Sequence, residues 1–263
     1  MAAEIKPLKK FSQNFLKSTY YSKKIVAALD CQPEDTILEI GAGTGSLTDM
    51  LVKQPFKRIT ALELDCRLYD LLRQKYGSRI SVINISILDF SIKELAKNSR
   101  IKVIGNIPYN ITSDIIFKII ENHAYIKRAV IMVQREVASR LLAETRTKDY
   151  GILTVFVRCH SHITKVLDVS RENFYPVPNV DSSIINLDLF EETDGIANYQ
   201  LFKKVVKTCF NNRRKMLRNS LKKIVESSYI NKIKSVQLDI RPEELSIQDF
   251  KSLSNEISDF YTP

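Results

Sequence analysis

The 263-residue chain has only four cysteines, and Cys31, Cys66, Cys159 and Cys209 lie far apart with no CxxC pair. That spacing excludes a zinc ribbon or a disulfide framework and suits a reducing, cytoplasmic compartment. Apolar runs are a handful of residues long, so none approaches the ~20 that cross a bilayer, and no membrane association is expected. The start, MAAEIKPLKKFSQ, has charges with no apolar stretch behind them, so it is not read as a secretory signal. Internal repeats and low-complexity tracts are missing. No Ser/His/Asp set and no paired carboxylates stand out. Hydrophobic residues make up 44% and charged residues 27%, an ordinary globular balance, and the length suits one large domain or two smaller ones.

Acidic residues are also missing from positions 195 to 225, where nine residues are basic, while residues 1–24 hold six basic and one acidic. The net charge of +10 therefore sits in these two stretches, and the other 208 residues sum to −4. A nearly neutral body with two basic patches is the footprint of nucleic-acid or anionic-surface binding; a merely solvated basic face is the plain alternative. The candidate phosphate-binding residues are Lys9, Lys10, Arg213, Arg214, Lys215, Arg218 and Lys222.

Residues 36–134 alternate strand-like and helix-like segments. TILEI (36–40), RITALEL (58–64), ISVINI (80–85), KVIGNI (102–107) and AVIMV (129–133) read as apolar strands. Between them, residues 66–76, 91–97 and 113–122 carry apolar residues at helical spacing. This alternation predicts a doubly wound α/β fold with a mostly parallel sheet. Residues 152–170 and 182–190 read as later, antiparallel strands. The polar segment EETDGIAN (191–198) marks a boundary, giving domains 1–192 and 193–263, the second small and all-helical. There Leu201, Phe202, Val205, Val206, Cys209 and Phe210 form one apolar stripe. Arg214, Arg218 and Lys222, four apart, are expected on one exposed helix face. Cys159, His160 and His162 invite a metal reading, but strand alternation would split them between two faces, so no metal site is assigned.

Two segments carry chemistry. The first, EIGAGTG (39–45), follows a strand and opens a helix, so its glycines let a ligand approach the backbone and the helix start offers free N–H groups. Eighteen residues past Gly45, Glu63 ends the next strand, where a carboxylate can accept from ribose hydroxyls. A dinucleotide fingerprint would need glycine at position 46, which is Ser. The GxGxG form preceded by an acid resembles the loop of S-adenosylmethionine-dependent methyltransferases. The second segment, Asn106, Ile107, Pro108 and Tyr109, falls at the carboxyl edge of the fourth strand. It resembles the (N/D)-x-P-(Y/F) motif of enzymes that methylate exocyclic amines. The N6 lone pair of adenine is delocalised into the ring, so acceptors aimed at its hydrogens are needed to make it nucleophilic. The Asn106 amide oxygen and the Ile107 carbonyl can be those acceptors, Pro108 stiffens the turn, and Tyr109 offers a flat face to the base.

With these motifs the chain resembles the ribosomal RNA adenine dimethyltransferase family of the small-subunit (KsgA) type, nearly end to end. FSQNFL (11–16) is similar to the family's FGQNFL, LEIGAGTGSLT (38–48) to its glycine loop and GNIPYNI (105–111) to its GNLPYNI. MVQREVASR (132–140) resembles MVQKEVAxR, FYPVPNVDS (174–182) resembles FxPxPxVxS, and FNNRRKMLRN (210–219) resembles FxxRRKxLRN. The resemblance implies a class I, Rossmann-like methyltransferase that uses S-adenosylmethionine to dimethylate two adjacent adenosines near the 3′ end of 16S rRNA, working as a monomer on the 30S subunit. It implies that Asn14, Leu16, Gly41, Gly43, Glu63, Ser86 and Asn106 hold the cofactor and that Phe174 packs with Tyr109 against the target base. There are departures: Ser12 stands where the family has Gly, Ser86 where it has an Asp contacting the cofactor's adenine, with Asp89 three residues later, and Asn179 where Lys is frequent. Two other readings stay open. One is the related antibiotic-resistance methyltransferase of large-subunit rRNA. The other is a non-catalytic RNA-binding assembly or transcription factor on the same fold.

Overall fold

The structure, a computed structural model, describes residues 6–8, 11–97, 99–192 and 195–259. Its strands are β1 (Phe15–Leu16), β2 (Thr36–Ile40), β3 (Arg58–Leu62), β4 (Ser81–Ile83), β5 (Ile101–Asn106), β6 (Ile126–Gln134), β7 (Ser161–Val169), β8 (Phe174–Tyr175) and β9 (Ser182–Leu189). Its helices are α1 (Thr19–Leu29), α2 (Thr48–Leu51), α3 (Cys66–Tyr76), α4 (Ile92–Ala96), α5 (Thr112–Glu121), α6 (Arg135–Leu142), α7 (Ile152–His160), α8 (Tyr199–Asn211), α9 (Leu217–Leu221), α10 (Ser227–Ile230) and α11 (Ile247–Ser258).

Seven strands form one sheet in the order β4-β3-β2-β5-β6-β9-β7. The first five are parallel, and β9 runs antiparallel to both β6 and β7. All five residues of β2 are buried, as a strand covered on both faces requires. Strand order reverses between β2 and β5, which makes the carboxyl ends of these two strands the switch point where such sheets bind ligands. The expected parallel strands and intervening helices are all present, with ends shifted by a few residues.

Two compact units divide the chain differently from the expected 192/193 boundary: residues 1–138 with 161–191, and 139–160 with 192–263. Residues 139–160 belong with the C-terminal helices because of their aromatic contacts. Tyr150 donates its hydroxyl to the Leu245 carbonyl at 2.9 Å, and its ring lies 6.0 Å from that of Phe210. Phe156 meets Phe202 edge-on at 5.9 Å, and His160 meets Tyr199 at 5.3 Å. The extended reading of 152–170 is corrected by the same facts. Residues 152–160 are helix α7 with a largely buried apolar stripe, and only Ser161–Val169 is strand. Period-2 and period-3.6 patterns coincide in an apolar run this short. Cys159 and His160 thus end a helix, and the His160 Nδ1 atom bonds the Phe156 carbonyl at 2.7 Å. The stripe Leu201, Phe202, Val205, Val206, Cys209 and Phe210 is buried on α8 as expected. The single basic helix face is not formed, because α8 ends at Asn211 and α9 starts only at Leu217.

Beneath the switch point, Lys102 of β5 is 2% exposed and pairs with Asp35, 8% exposed, at 2.7 Å. Its ammonium also donates to the Asp30 carbonyl at the end of α1. One cation thereby ties α1, the entry to β2 and β5 together. Removing one partner of a buried pair strands the other charge, so Lys102→Met is expected to cost about 3–5 kcal/mol in urea unfolding. Adding Asp35→Asn, which keeps the oxygen that accepts from the Gln32 N–H, should recover much of that loss.

Candidate active site

At the end of β2 the chain turns sharply. The N–H groups of Gly41 and Ala42 both reach the Leu62 carbonyl, at 2.9 and 3.2 Å. Gly43 has φ +59°, and a Cβ there would lie 3.3 Å from the Phe15 ring, so this position needs glycine for conformation and for space. The Gly43 N–H donates to Glu63 Oε2 at 2.8 Å, and the Asp65 N–H donates to Oε1 at 2.9 Å. These bonds fix the Glu63 carboxylate while each oxygen keeps a lone pair for a ligand.

Around this turn lies a cavity of about 300 Å³. Its walls include Asn14, Leu16, Gly41, Gly43, Glu63, Ser86, Asn106, Ile107, Pro108 and Tyr109. Segments separated by up to about ninety residues are thus brought to one place. Ser86 is in the wall and Asp89 is not. The Ser86 Oγ already accepts the Leu88 N–H at 3.2 Å, and its carbonyl accepts the Asp89 and Phe90 N–H groups, so it also shapes its own turn. Asn106 donates its Nδ2 to the Asn14 carbonyl at 2.8 Å. No described residue donates to Oδ1, so the amide is oriented with its oxygen as the free acceptor.

Three of the expected residues are placed or paired elsewhere in this structure. Phe174 is fully buried and does not line the cavity: it lies opposite Leu16 in the β1–β8 pair and packs into the core. Arg213 is spent within its own unit, donating to the carbonyls of Lys148 (2.6 Å) and Thr147 (2.9 Å) and approaching Glu243 at 3.6 Å. Arg218 is paired with Asp239 at 3.2 Å and Asn231 at 2.9 Å. Arg214, Lys215 and Lys222 are exposed. Lys9 and Lys10 lie outside the described residues.

The structure also adds residues. Glu39 is 1% exposed in the cavity wall; Thr48 Oγ1 donates to its Oε2 at 2.7 Å, and Oε1 has no partner among the described residues. Burial pushes its carboxyl up to about 8, opposed by the Thr48 hydrogen bond and reinforced by the nearby Glu63. Glu63 is also raised by burial, against the backbone donors of Asp65 and Gly43. An orphaned acidic oxygen in the wall suits a ligand carrying a cation, and the acid two residues before the GxGxG loop is the sequence signal for it. Ser182 is fully buried and shares a 2.6 Å hydrogen bond with the Tyr109 hydroxyl, holding that ring. Gln13 donates to Asp65 Oδ2 at 3.0 Å, and its own Oε1 accepts the Leu8 N–H at 2.7 Å, pinning the N-terminal segment beside the cavity. Arg67 holds the Asp65 carboxyl down at about 2, so the latch acceptor stays ionised. Ser12 takes φ +49°, a left-handed bend that suits glycine, so the departure at this position keeps a glycine-like turn.

This strand order, with a glycine loop and an Asn-Ile-Pro-Tyr turn at its switch point, is the fold of the class I methyltransferases. The chain belongs to the ribosomal RNA adenine dimethylase family, whose sequence model matches residues 6–259. It is 39% identical over 240 residues to ribosomal RNA small subunit methyltransferase A of Malacoplasma penetrans, covering 90% of this chain and 87% of that protein. It is 39% identical to the protein of the same name from Chlorobium phaeobacteroides, covering 97% and 92%. Among solved structures it is similar to a dimethyladenosine transferase from Plasmodium falciparum (TM-score 0.80, 28% identity, 93% of this chain and 98% of that one). The 23S rRNA methyltransferase ErmE is also similar (TM-score 0.70, 26% identity, 93% and 100%).

The Glu39 environment predicts a pH dependence of stability. The folded state holds this proton up to about pH 8, whereas an unfolded glutamate releases it near 4.3. Stability from the neutral carboxyl is fully present below pH ~4.3 and is lost as pH rises to about 8. Glu39→Gln should therefore match the wild type near pH 4. By pH 8 it should exceed the wild type by at least about 1 kcal/mol, a few degrees in Tm by calorimetry.

Proposed function

We propose that the protein uses S-adenosylmethionine to dimethylate N6 of two adjacent adenosines near the 3′ end of 16S rRNA, as part of 30S subunit maturation in the cytoplasm. The observation that carries this reading is the Asn106 amide, tied through its nitrogen to the Asn14 carbonyl so that its oxygen is left to accept. S-adenosylmethionine supplies a methyl group activated by its sulfonium.

The residues present fit that cofactor. Glu63 would accept from the ribose hydroxyls, the orphaned Glu39 oxygen would meet the ammonium, and Ser86 would stand near the adenine. Gly41, Gly43, Asn14 and Leu16 would shape the remaining wall. Asn106 Oδ1 and the Ile107 carbonyl would accept the two N6 hydrogens of the substrate. Those bonds strengthen as nitrogen becomes positive during attack, and the surplus proton then leaves to water. Tyr109, held by Ser182, would carry one face of the base, and Pro108 would keep the turn rigid. Positioning does most of the work, because no general base is needed before methyl transfer.

The small-subunit substrate is favoured over the large-subunit one by the 39% identity to proteins bearing the small-subunit name, against 26% to ErmE. The intact acceptor geometry at Asn106 disfavours a purely non-catalytic RNA-binding role. Arg214, Lys215 and Lys222 would take phosphates in the C-terminal unit.

Two experiments test this. With labelled cofactor at saturation and under-methylated 30S particles, Asn106→Ala should lower the rate by at least ~10²–10³, because it removes an acceptor that acts mainly in the transition state along with the bond that ties the N-terminal segment. A near wild-type rate would remove Asn106 from the chemistry, and methylation of 50S material instead would overturn the substrate. Separately, neutralising Arg214, Lys215 and Lys222 should weaken rRNA binding and reduce its log–log salt slope by about 0.7–0.9 for each phosphate no longer neutralised. Cofactor affinity should not change, since none of the three lines the cavity.

A further inference from the structure

The segment between β8 and β9 runs from one wall of the cavity to another. At its start, β8 pairs antiparallel with β1, with Phe15 opposite Tyr175 and Leu16 opposite Phe174. Directly opposed residues of such a pair share a face, and successive residues alternate faces. Phe174 therefore points into the core, fully buried, and Tyr175 points out, 50% exposed, on the face that carries Phe15. The Phe15 ring lies against Gly43 and lines the cavity. At the far end of the segment, Ser182 holds the Tyr109 hydroxyl. The exposed tyrosine thus shares a strand face with Phe15, whose ring reaches the cavity.

Cations lie along this stretch. The Lys17 N–H donates to the Asn173 carbonyl at 2.8 Å, and the Lys17 side chain is exposed. Arg135, 64% exposed, donates its N–H to the Asp181 carbonyl at 3.0 Å and reaches the Asp181 carboxylate only at 3.9 Å. Arg171 donates to the Asn179 carbonyl at 3.3 Å. Glu172 and Asp181 are acids on the same stretch, and Asp168 lies within electrostatic reach of Arg135.

We propose that Tyr175 is a stacking platform for the rRNA base next to the reacting adenosine, with Lys17 beside it taking a flanking phosphate. This rests on the RNA-methylation reading above. Bringing an adenine to Asn106 requires it to leave its stack, and re-stacking its neighbour on an aromatic ring offsets part of that loss. An exposed aromatic ring with a cation near it is how single-stranded RNA is held without reading its sequence.

The test uses an RNA hairpin whose loop carries two adjacent adenosines flanked by 2-aminopurine, together with 30S particles. The wild type and Tyr175→Phe should quench the 2-aminopurine on binding, and Tyr175→Ala should not. Tyr175→Ala should raise the KM for RNA about tenfold while kcat at saturating RNA changes less than threefold, and Tyr175→Phe should restore the KM. Cofactor affinity by calorimetry, unchanged in both variants, reports an intact fold. The proposal is overturned if the wild type leaves 2-aminopurine unquenched or if Tyr175→Ala matches the wild type on the hairpin. It is equally overturned if the defect appears on 30S particles and not on naked RNA, which would assign the ring to a ribosomal protein. If the wild type methylates neither RNA, the functional reading fails rather than the platform alone.

Discussion

The hydrogen bond from the Asn106 side chain to the Asn14 carbonyl joins two parts of the chain that share no strand pairing. It closes the N-terminal segment onto the end of β5, and both residues then form the cavity wall. An amide has one donor end and one acceptor end, so committing the nitrogen to Asn14 commits the oxygen to whatever enters the site. The neighbouring features serve to hold that segment in place: the left-handed bend at Ser12, the Gln13 bond to Asp65, and the short β1–β8 pairing. If the segment moved, Asn106 would lose its orientation and the cavity one of its walls.

Two acids sit at the switch point, and their environments set them apart. Glu63 has backbone N–H groups on both oxygens, which favour its charged form against burial. Glu39 has one hydroxyl donor and one orphaned oxygen, and burial dominates. Burial raises both carboxyls, opposed at Glu63 by two backbone N–H groups and at Glu39 by one hydroxyl.

Most of the sheet was legible because its strands are fully covered and apolar, and because the glycine loop and the Asn106–Tyr109 turn carry their chemistry in their residue types. The misreadings share a cause. Residues 152–160 have an apolar pattern that either period accommodates, and only aromatic partners such as Phe202 and Tyr199 decide for a helix. Arg213 looks like any other cation in a basic run until the carbonyls of Thr147 and Lys148 appear beside it. Phe174 and Tyr175 are adjacent aromatics, and the register against β1 alone decides which one is buried.

The sequence by itself determined the alternating α/β plan and the position of the glycine turn at the end of β2. These follow from local properties: periodicity and glycine placement. The tertiary structure decided that residues 139–160 join the C-terminal helices, that burial raises the Glu39 carboxyl, that Ser86 rather than Asp89 reaches the cavity, and which cations of the basic run stay exposed. Each of these depends on what a side chain meets from a distant part of the chain, because burial, desolvation and hydrogen-bond saturation are properties of a neighbourhood and not of a residue.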